Sequence, residues 1–201
     1  MGCGKSSVGR KLSELLCCRF MDLDDCIVEE AGCSIPEIFA QQGEPAFRKL
    51  EQTVLKNIVS SDSDGKTVLA LGGGAVMTAG SEDIVHGGTT CIYLKASVDT
   101  LIEHLTGETA DRPMLTQQSV VTGDNSSLMP TSSPSVISTS SPSVMSSEVE
   151  TSPLRSRILE LMSLRAATYE RTAHHIINTD GKTIDEIAIE IVTKSARLPN
   201  A

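Results

Sequence analysis

The chain has 201 residues, which is room for one domain or for one domain with an appendage. Hydrophobic residues make up 39% of it, enough for a buried core, yet no apolar run approaches the roughly 18 residues of a membrane-spanning helix. Its 17 Lys and Arg against 26 Asp and Glu give a net charge of -9, which argues against the broad basic surface of a nucleic-acid-binding or membrane-surface protein.

The tripeptide Gly4-Lys5-Ser6 stands at the start of a predicted helix. The apolar residues that recur there at helical spacing are Val8, Leu12, Leu15 and Leu16. Gly-Lys-Ser at a helix N-terminus is the second half of a phosphate-binding loop, in which backbone N–H groups and the lysine contact phosphate and the serine hydroxyl binds magnesium. The first glycine of that motif and the strand before it would lie upstream of Met1.

A short strand is predicted at Arg19–Leu23, and two carboxylates, Asp22 and Asp24, alternate at its end. Such a pair could divide its work between a magnesium shell and a substrate hydroxyl. The pair could equally be a solvated turn that caps the next helix. The residues alone leave both interpretations open.

Two helices follow the strand. Ser34-Ile-Pro-Glu37 has the form of a capping box with Pro in the first turn, Gly43 ends that helix, and Pro45 opens another. The apolar face of the second helix is predicted to contain Phe47, Leu50, Val54, Leu55 and Ile58. Arg48 and Glu51 then lie together on a neighbouring face, at positions i and i+3.

The middle of the chain holds two continuous apolar strands, Thr67–Leu71 and Thr90–Leu94. Strands that are apolar on both faces favour a parallel sheet covered by helices. The first strand runs into Gly72-Gly73-Gly74, where backbone N–H groups can approach a ligand closely unless the glycines merely form a flexible turn. In such sheets ligands bind at the carboxyl ends of the strands, which is where the carboxylates and the glycines fall.

After a predicted helix at Val98–Leu105, the composition changes. From Thr116 to Pro153 there are 13 Ser, 5 Thr and 4 Pro among 38 residues, and the octapeptide Thr131–Ser138 is followed by a near copy at Thr139–Ser146. Such a segment cannot build a core, so we expect a disordered insert, with an interaction segment as the alternative. The expected division is a core at 1–115, an insert at 116–153 and the rest of the core at 154–201.

The C-terminal part is predicted to contain a helix at Leu154–Arg171, a strand at His175–Asn178 and a final helix capped by Thr183 and Glu186, with Ile184, Ile187, Ile191 and Val192 inside. The alternation of strands and helices along the whole chain predicts an α/β fold with right-handed crossovers. Three arginines on separate segments, Arg48, Arg112 and Arg165, have the bidentate geometry that suits a carboxylate or a phosphate, although any one of them could be a surface charge.

The cysteines and the N-terminus indicate a cytoplasmic protein. The six cysteines include no C-x-x-C pair, the spacing typical of zinc and redox sites, so we expect buried, reduced side chains. The first residues lead into an amphipathic segment rather than into the apolar run of a secretory leader.

Six blocks occur in an order that resembles the shikimate kinase family. They are Met1-Gly-Cys-Gly-Lys-Ser-Ser-Val-Gly9, Phe20-Met-Asp-Leu-Asp24, Ile38-Phe-Ala-Gln-Gln-Gly-Glu-Pro-Ala-Phe-Arg48, Leu71-Gly-Gly-Gly-Ala-Val76, Arg112-Pro-Met-Leu115 and Arg165-Ala-Ala-Thr-Tyr169. The resemblance covers residues 1–115 and about 154–201. This sequence has Ala167 where the family usually has proline, and it carries the long insert in the lid.

The resemblance implies a three-layer P-loop fold of the nucleoside monophosphate kinase type, with a parallel sheet flanked by helices and a mobile lid. The N-terminal strand, central in that sheet, is expected to be missing from this chain. The implied reaction transfers the γ-phosphoryl group of ATP to the 3-hydroxyl of shikimate, with Mg²⁺, on the route to chorismate. The implied partners are shikimate and ATP, with no nucleic acid and no membrane, and the implied state is a monomer.

The resemblance also implies a role for individual residues. Contacts to ATP would come from Gly2, Cys3, Gly4, Lys5, Ser6, Ser7 and Arg112, and the magnesium shell from Ser6 and Asp22. The substrate would be held by Asp24, Arg48, Gly72, Gly73, Gly74 and Arg165. The residues implied to take part in the chemistry are Lys5, Asp24 and Arg112.

Three other functions are compatible with parts of the sequence. A gluconate kinase relative would share the phosphate loop, although we would not expect it to combine Asp22-x-Asp24, Phe47-Arg48 and the triple glycine. A non-catalytic nucleotide-binding remnant would explain the truncated loop. An interaction protein would act through the Ser-rich segment, with the α/β part as its scaffold.

Overall fold

The computed structural model describes residues 2–62, 66–107 and 153–195. In chain order their elements are α1 (Lys5–Leu16), β1 (Arg19–Asp22), α2 (Leu23–Ala31), α3 (Ile35–Ser61), β2 (Thr67–Ala70), α4 (Ser81–Gly88), β3 (Ile92–Lys95), α5 (Val98–Gly107), α6 (Pro153–Thr172), β4 (His175–Asn178) and α7 (Ile184–Ser195). A 3₁₀ turn at Ala75–Met77 precedes α4. The predicted α/β alternation is confirmed, and α2 and α4 are helices whose bounds the sequence patterns did not predict. Among the described helices, none is long and apolar enough to cross a membrane.

The strands form two parallel pairs. β1 pairs with β2, with Arg19 opposite Thr67, and β3 pairs with β4, with Ile92 opposite His175. Both pairs are parallel, as predicted. Within the described part of the chain, however, β2 and β3 are not hydrogen-bonded to each other, so the sheet is divided in two.

The division leaves two strand edges without partners among the described residues. Arg19 N–H donates to the Lys66 carbonyl at 3.0 Å, so alternate residues of β2 face β1 and the others, such as Leu69, face away. In β3 the Lys95 carbonyl accepts from Thr179 on the β4 side, which turns the backbone groups of Leu94 the other way. A strand placed between β2 and β3 would satisfy both edges.

The two pairs nevertheless border one core. The buried residues of this cluster are Val8, Leu12, Ile177, Ile187 and Ile191, and the half-buried residues packed against it include Val68 of β2 and Leu94 of β3. It lies beneath α1 and α7. The predicted apolar faces are only partly right, because Leu15, Leu16 and Ile184 are exposed at the ends of their helices.

A second core lies between α2, α3 and α4. Its largest fully buried side chains include Leu23, Ile27, Ile38 and Leu55. The predicted stop and restart of α3 is confirmed, because Gly43 has φ 78° and ψ 172° and kinks the helix before Pro45. The predicted capping box is also present, since Glu37 accepts from the Ser34 backbone N–H at 2.8 Å. Arg48 lies in the segment of α3 after this kink, and its side chain contacts the glycines that follow β2.

The prediction that the cysteines are buried is wrong. All six are free, five of them are half-buried and Cys17 is exposed. Cys17 ends α1 in the left-handed conformation, with φ 51°. A residue that caps a helix in this conformation stands at a surface turn, which explains its exposure.

Candidate active site

The N-terminus of α1 forms one side of the site. Gly4 caps the helix with φ 74°, and its carbonyl accepts the first intrahelical hydrogen bond, from Val8. The N–H groups of Lys5, Ser6 and Ser7 have no acceptor among the described residues. Unpaired N–H groups and the helix dipole favour an anion at this position. Lys5 makes no ion pair within the described ranges, so its charge is not neutralised by a neighbouring carboxylate there.

Two of the residues predicted to bind magnesium are in direct contact. The Ser6 hydroxyl donates to Asp22 Oδ2 at 2.8 Å, although 16 residues separate them. Asp22 ends β1 and also caps α2, because its Oδ1 accepts from the Asp24 N–H at 3.2 Å. Asp22 can therefore cap α2 with one carboxylate oxygen and still offer the other to a magnesium ion. An oxygen-only pair of a hydroxyl and a carboxylate suits Mg²⁺, which prefers hard oxygen ligands.

Asp24 does not lie on the strand end, as the sequence pattern had predicted, but in the first turn of α2. A chain that turns directly from β1 into α2 still keeps its carboxylate at the edge where β2 ends. A Cβ atom added to Gly72 would lie 3.0 Å from Asp24 Oδ1, so the carboxylate packs against the glycine backbone. Asp24 and the triple glycine therefore come together as predicted.

Arg48 is held by two carboxylates of its own helix. Its Nη1 donates to Glu51 at 2.8 Å, and its Nη2 donates to Glu44 at 3.2 Å. The two partners differ in environment, because the side chain of Glu51 is 2% exposed and that of Glu44 is 60% exposed. The Arg48 guanidinium also lies against Gly74, where an added Cβ would be 2.6 Å from Nη1. No residue larger than glycine fits at Gly74 with Arg48 in this place.

Glu51 is the buried charge of the site. Burial raises the pKa of its carboxyl, the hydrogen bond and charge of Arg48 oppose that shift, and the charge of Asp24 adds to it. The sequence revealed the spacing of Arg48 and Glu51 but gave Glu51 no role. The missing information was its burial, which comes from tertiary packing.

Arg165 and Tyr169 reach the glycines from α6. Arg165 Nη1 donates to the Gly73 carbonyl at 3.3 Å, and the Tyr169 hydroxyl donates to the same oxygen. The three glycines thus lie between Arg48 on α3 and Arg165 on α6. The charges of Arg48, Asp24 and Arg165 all shift the pKa of the Glu51 carboxyl, so these four ionisable groups lie close together.

The remaining predicted residues divide into two groups. Gly2 and Cys3 lie before α1, and the Gly2 carbonyl accepts from His104 Nδ1 on α5 at 2.6 Å, a contact that the sequence did not suggest. Cys3 packs against a third apolar cluster, whose buried residues include Leu101 of α5 and Ile158 of α6. Arg112 and the Ser-rich segment up to residue 152 lie outside the described residues.

Comparisons with known proteins agree on one family. The family model described as Shikimate kinase matches residues 1–196. A shikimate kinase from Thermus thermophilus is 34% identical over 194 residues, which cover 96% of this chain and 85% of that protein. The solved structure of a shikimate kinase from Acinetobacter baumannii in complex with shikimate has a TM-score of 0.72 at 28% identity and covers 99% of this chain and 91% of that one. The shikimate kinase from Bacteroides thetaiotaomicron shares the fold, with a TM-score of 0.73 at 22% identity over 98% of this chain and 94% of that one. The chain belongs to the shikimate kinase family.

Proposed function

We propose that this protein transfers the γ-phosphoryl group of ATP to the 3-hydroxyl of shikimate, giving 3-phosphoshikimate and ADP. Membership in a family of ATP-dependent kinases supports the reaction class. One observation carries the substrate assignment. Arg48, Arg165 and Asp24 surround the same three glycines, which gives two cations for a carboxylate and one carboxylate for hydroxyl groups.

The acid is bound by the arginines. A guanidinium offers paired N–H groups that match the two oxygens of a carboxylate. Arg48 is oriented by Glu51 and Glu44, which accept hydrogen bonds from all three of its nitrogens before any ligand binds. Two fixed cations account for an anionic substrate on a chain whose net charge is -9.

The phosphates are bound at the start of α1. The free N–H groups of the first turn and the Lys5 ammonium would hold the β- and γ-phosphates. Ser6 and Asp22 would hold the magnesium ion, which supplies charge neutralisation on the phosphate oxygens. Asp24 would bind the attacking hydroxyl group and accept its proton. Most of the catalysis then comes from positioning and electrostatics, as is general for phosphoryl transfer.

The test uses the purified full chain with ATP and Mg²⁺, and measures ADP release with shikimate and, separately, with gluconate. We expect turnover with shikimate and little with gluconate. A folded protein that phosphorylates gluconate alone would support the gluconate kinase alternative. A folded protein that binds ATP in a calorimetric titration but phosphorylates neither acid would instead support the non-catalytic nucleotide-binding remnant.

A further inference from the structure

Tyr169 and Arg165 share one acceptor. They lie four residues apart on α6 and therefore on the same face of that helix. Arg165 Nη1 reaches the Gly73 carbonyl at 3.3 Å, which is long for an N–H···O bond, and the Tyr169 hydroxyl makes the closer contact to this oxygen. A carbonyl oxygen has two lone pairs, so it can accept both bonds at once.

The shared acceptor sets up a competition for Arg165. A guanidinium binds a carboxylate best with two parallel N–H groups, and an N–H used on the Gly73 carbonyl is lost from that pair. If Arg165 were the sole donor to this carbonyl, turning towards an incoming carboxylate would leave a half-buried carbonyl unpaired. An unsatisfied buried acceptor is costly, so the competition would weaken binding of the acid.

Tyr169 can keep the Gly73 carbonyl hydrogen-bonded when Arg165 turns away from it. Its ring is anchored, since it packs against the core of α2, α3 and α4 and lies 5.3 Å from the ring of Tyr93. Burial raises the pKa of the Tyr169 phenol, against the opposing charge of Arg165, so the hydroxyl keeps its proton at neutral pH and remains a donor. A rigid donor on the carbonyl lets the longer and weaker Arg165 bond break at little cost.

We propose that Tyr169 is a positioning residue that holds the Gly73 carbonyl and thereby leaves the Arg165 guanidinium for the substrate carboxylate, an inference that rests on the function proposed above. Tyr169 does not itself contact the acid. Its contribution depends on Arg165, because the hydroxyl matters only where Arg165 must choose between two acceptors.

The test replaces the hydroxyl alone. In Tyr169→Phe we expect the KM for shikimate to rise about 3- to 10-fold, the range for one lost hydrogen bond, with kcat and the KM for ATP changed by less than about 2-fold. Tyr93→Phe is the matched control, because the Tyr93 hydroxyl has no hydrogen-bond partner within the described residues and its ring packs on Tyr169. This control should leave both KM values unchanged.

A double-mutant cycle tests the dependence on Arg165. In an Arg165→Ala background, Tyr169→Phe should have no further effect on kcat/KM for shikimate. If the two substitutions are additive, or if Tyr169→Phe matches an active wild type, the positioning role is wrong. Equal losses for ATP and shikimate together with a lower Tm would show a purely structural role and would also overturn it. Failure of the proposed function is distinguishable, since the wild type itself would then not use shikimate.

Discussion

The proposed acid-binding side of the site and the proposed phosphate-binding side are built differently. On the acid side every predicted cation already has a protein partner, because Arg48 is paired with Glu51 and Arg165 with the Gly73 carbonyl. On the phosphate side Lys5 makes no ion pair within the described ranges, and the Ser6 hydroxyl donates to Asp22. The first region is ordered by the protein itself, whereas the second offers unpaired donors to a ligand.

The difference follows from the sheet. The acid side stands on the intact pair β1 and β2 and on the core that contains Leu23, Ile38 and Leu55. The predicted phosphate loop instead precedes α1, which packs on the core that both β2 and β3 border, and the sheet is divided between these two strands. Preorganisation lowers the cost of binding, so the acid site should keep its geometry under changes that weaken the phosphate site.

The largest expected effect comes from adding a strand between β2 and β3, where the sheet is divided. An apolar segment of about five residues, followed by the first glycine of the phosphate-loop motif and one further residue and placed ahead of Met1, should pair with both β2 and β3 and bury about five side chains. At roughly 1.5 to 3 kcal/mol for each side chain, the free energy of unfolding would rise by about 8 to 15 kcal/mol, comparable to the stability of a whole domain. Urea unfolding of the extended and original chains measures this difference. ATP affinity should rise with it, because the segment completes the phosphate loop.

The matched control is a Gly/Ser extension of the same length, which adds chain without apolar side chains. It should leave the unfolding curve unchanged. If the apolar extension also changes neither the unfolding free energy nor ATP binding, then β2 and β3 do not receive a strand between them.

The next effect tests how the acid side is ordered. Glu51→Ala removes the buried partner of Arg48 and leaves this mostly buried guanidinium with the exposed Glu44 as its carboxylate partner, so we expect a loss of about 3 kcal/mol in the free energy of unfolding. Glu44→Ala removes the exposed partner of the same guanidinium and should cost less than about 1 kcal/mol. Chemical denaturation of both variants checks the contrast. Equal losses would mean that the burial of Glu51 does not matter.

The contrast between the two sides predicts separable binding defects. Arg48→Ala should weaken shikimate use by about 2 to 5 kcal/mol, or about 30- to 5,000-fold in kcat/KM, the range for removing one partner of a buried charge pair. ATP affinity should change little, because Arg48 contacts α3 and the glycines rather than α1. Titration with ATP and with shikimate separates the two effects. Equal losses for both ligands would indicate a folding defect.

Much of the fold could be predicted because local signals were strong. Capping residues Ser34 and Thr183 fixed the starts of α3 and α7, and the strand at His175–Asn178 matches β4 residue for residue. Helix α4 was missed because Ser81–Gly88 is short, ends in two glycines and has only Ile84 and Val85 as large apolar side chains. Its folding depends on packing against α3, which no local pattern contains.

The site was predicted less completely than the fold. Asp22, Asp24, Arg48 and the glycines were singled out because they fall in the ordered blocks that resemble the family. Tyr169 and His104 were not assigned roles, since each acts through a contact to a backbone carbonyl far away in the sequence, and Glu51 was not assigned one because its burial comes from tertiary packing. Such contacts depend on which elements pack together, and a single sequence gives no register for that packing.

The smallest expected effect concerns pH and the β3–β4 half of the sheet, away from both ligand-binding regions. The Cys91 N–H donates to His174 Nδ1 at 3.0 Å just before β3 begins, so this nitrogen must be unprotonated in the folded state. The ring of His86 on α4 stacks on His174 with centroids 4.4 Å apart, and His86 Nδ1 donates to the Thr172 carbonyl at 3.0 Å. Burial and the charges of His86 and His175 lower the pKa of His174.

A lowered pKa means that the unfolded chain binds a proton more readily than the folded one between the folded pKa and about 6.5, the ordinary value for histidine. The contribution of His174 to stability is therefore complete above pH 6.5 and is lost as the pH falls through that window. The loss should lie at the lower end of the roughly 0.5 to 1.5 kcal/mol of a hydrogen bond, since the ring is exposed and water competes with it. His174→Asn keeps an acceptor near the Cys91 N–H without a titrating group. As the pH falls from 7 to 5, the Tm of the wild type should therefore fall relative to the Tm of the variant. A difference that stays constant over this range would show that His174 does not sense pH through this bond.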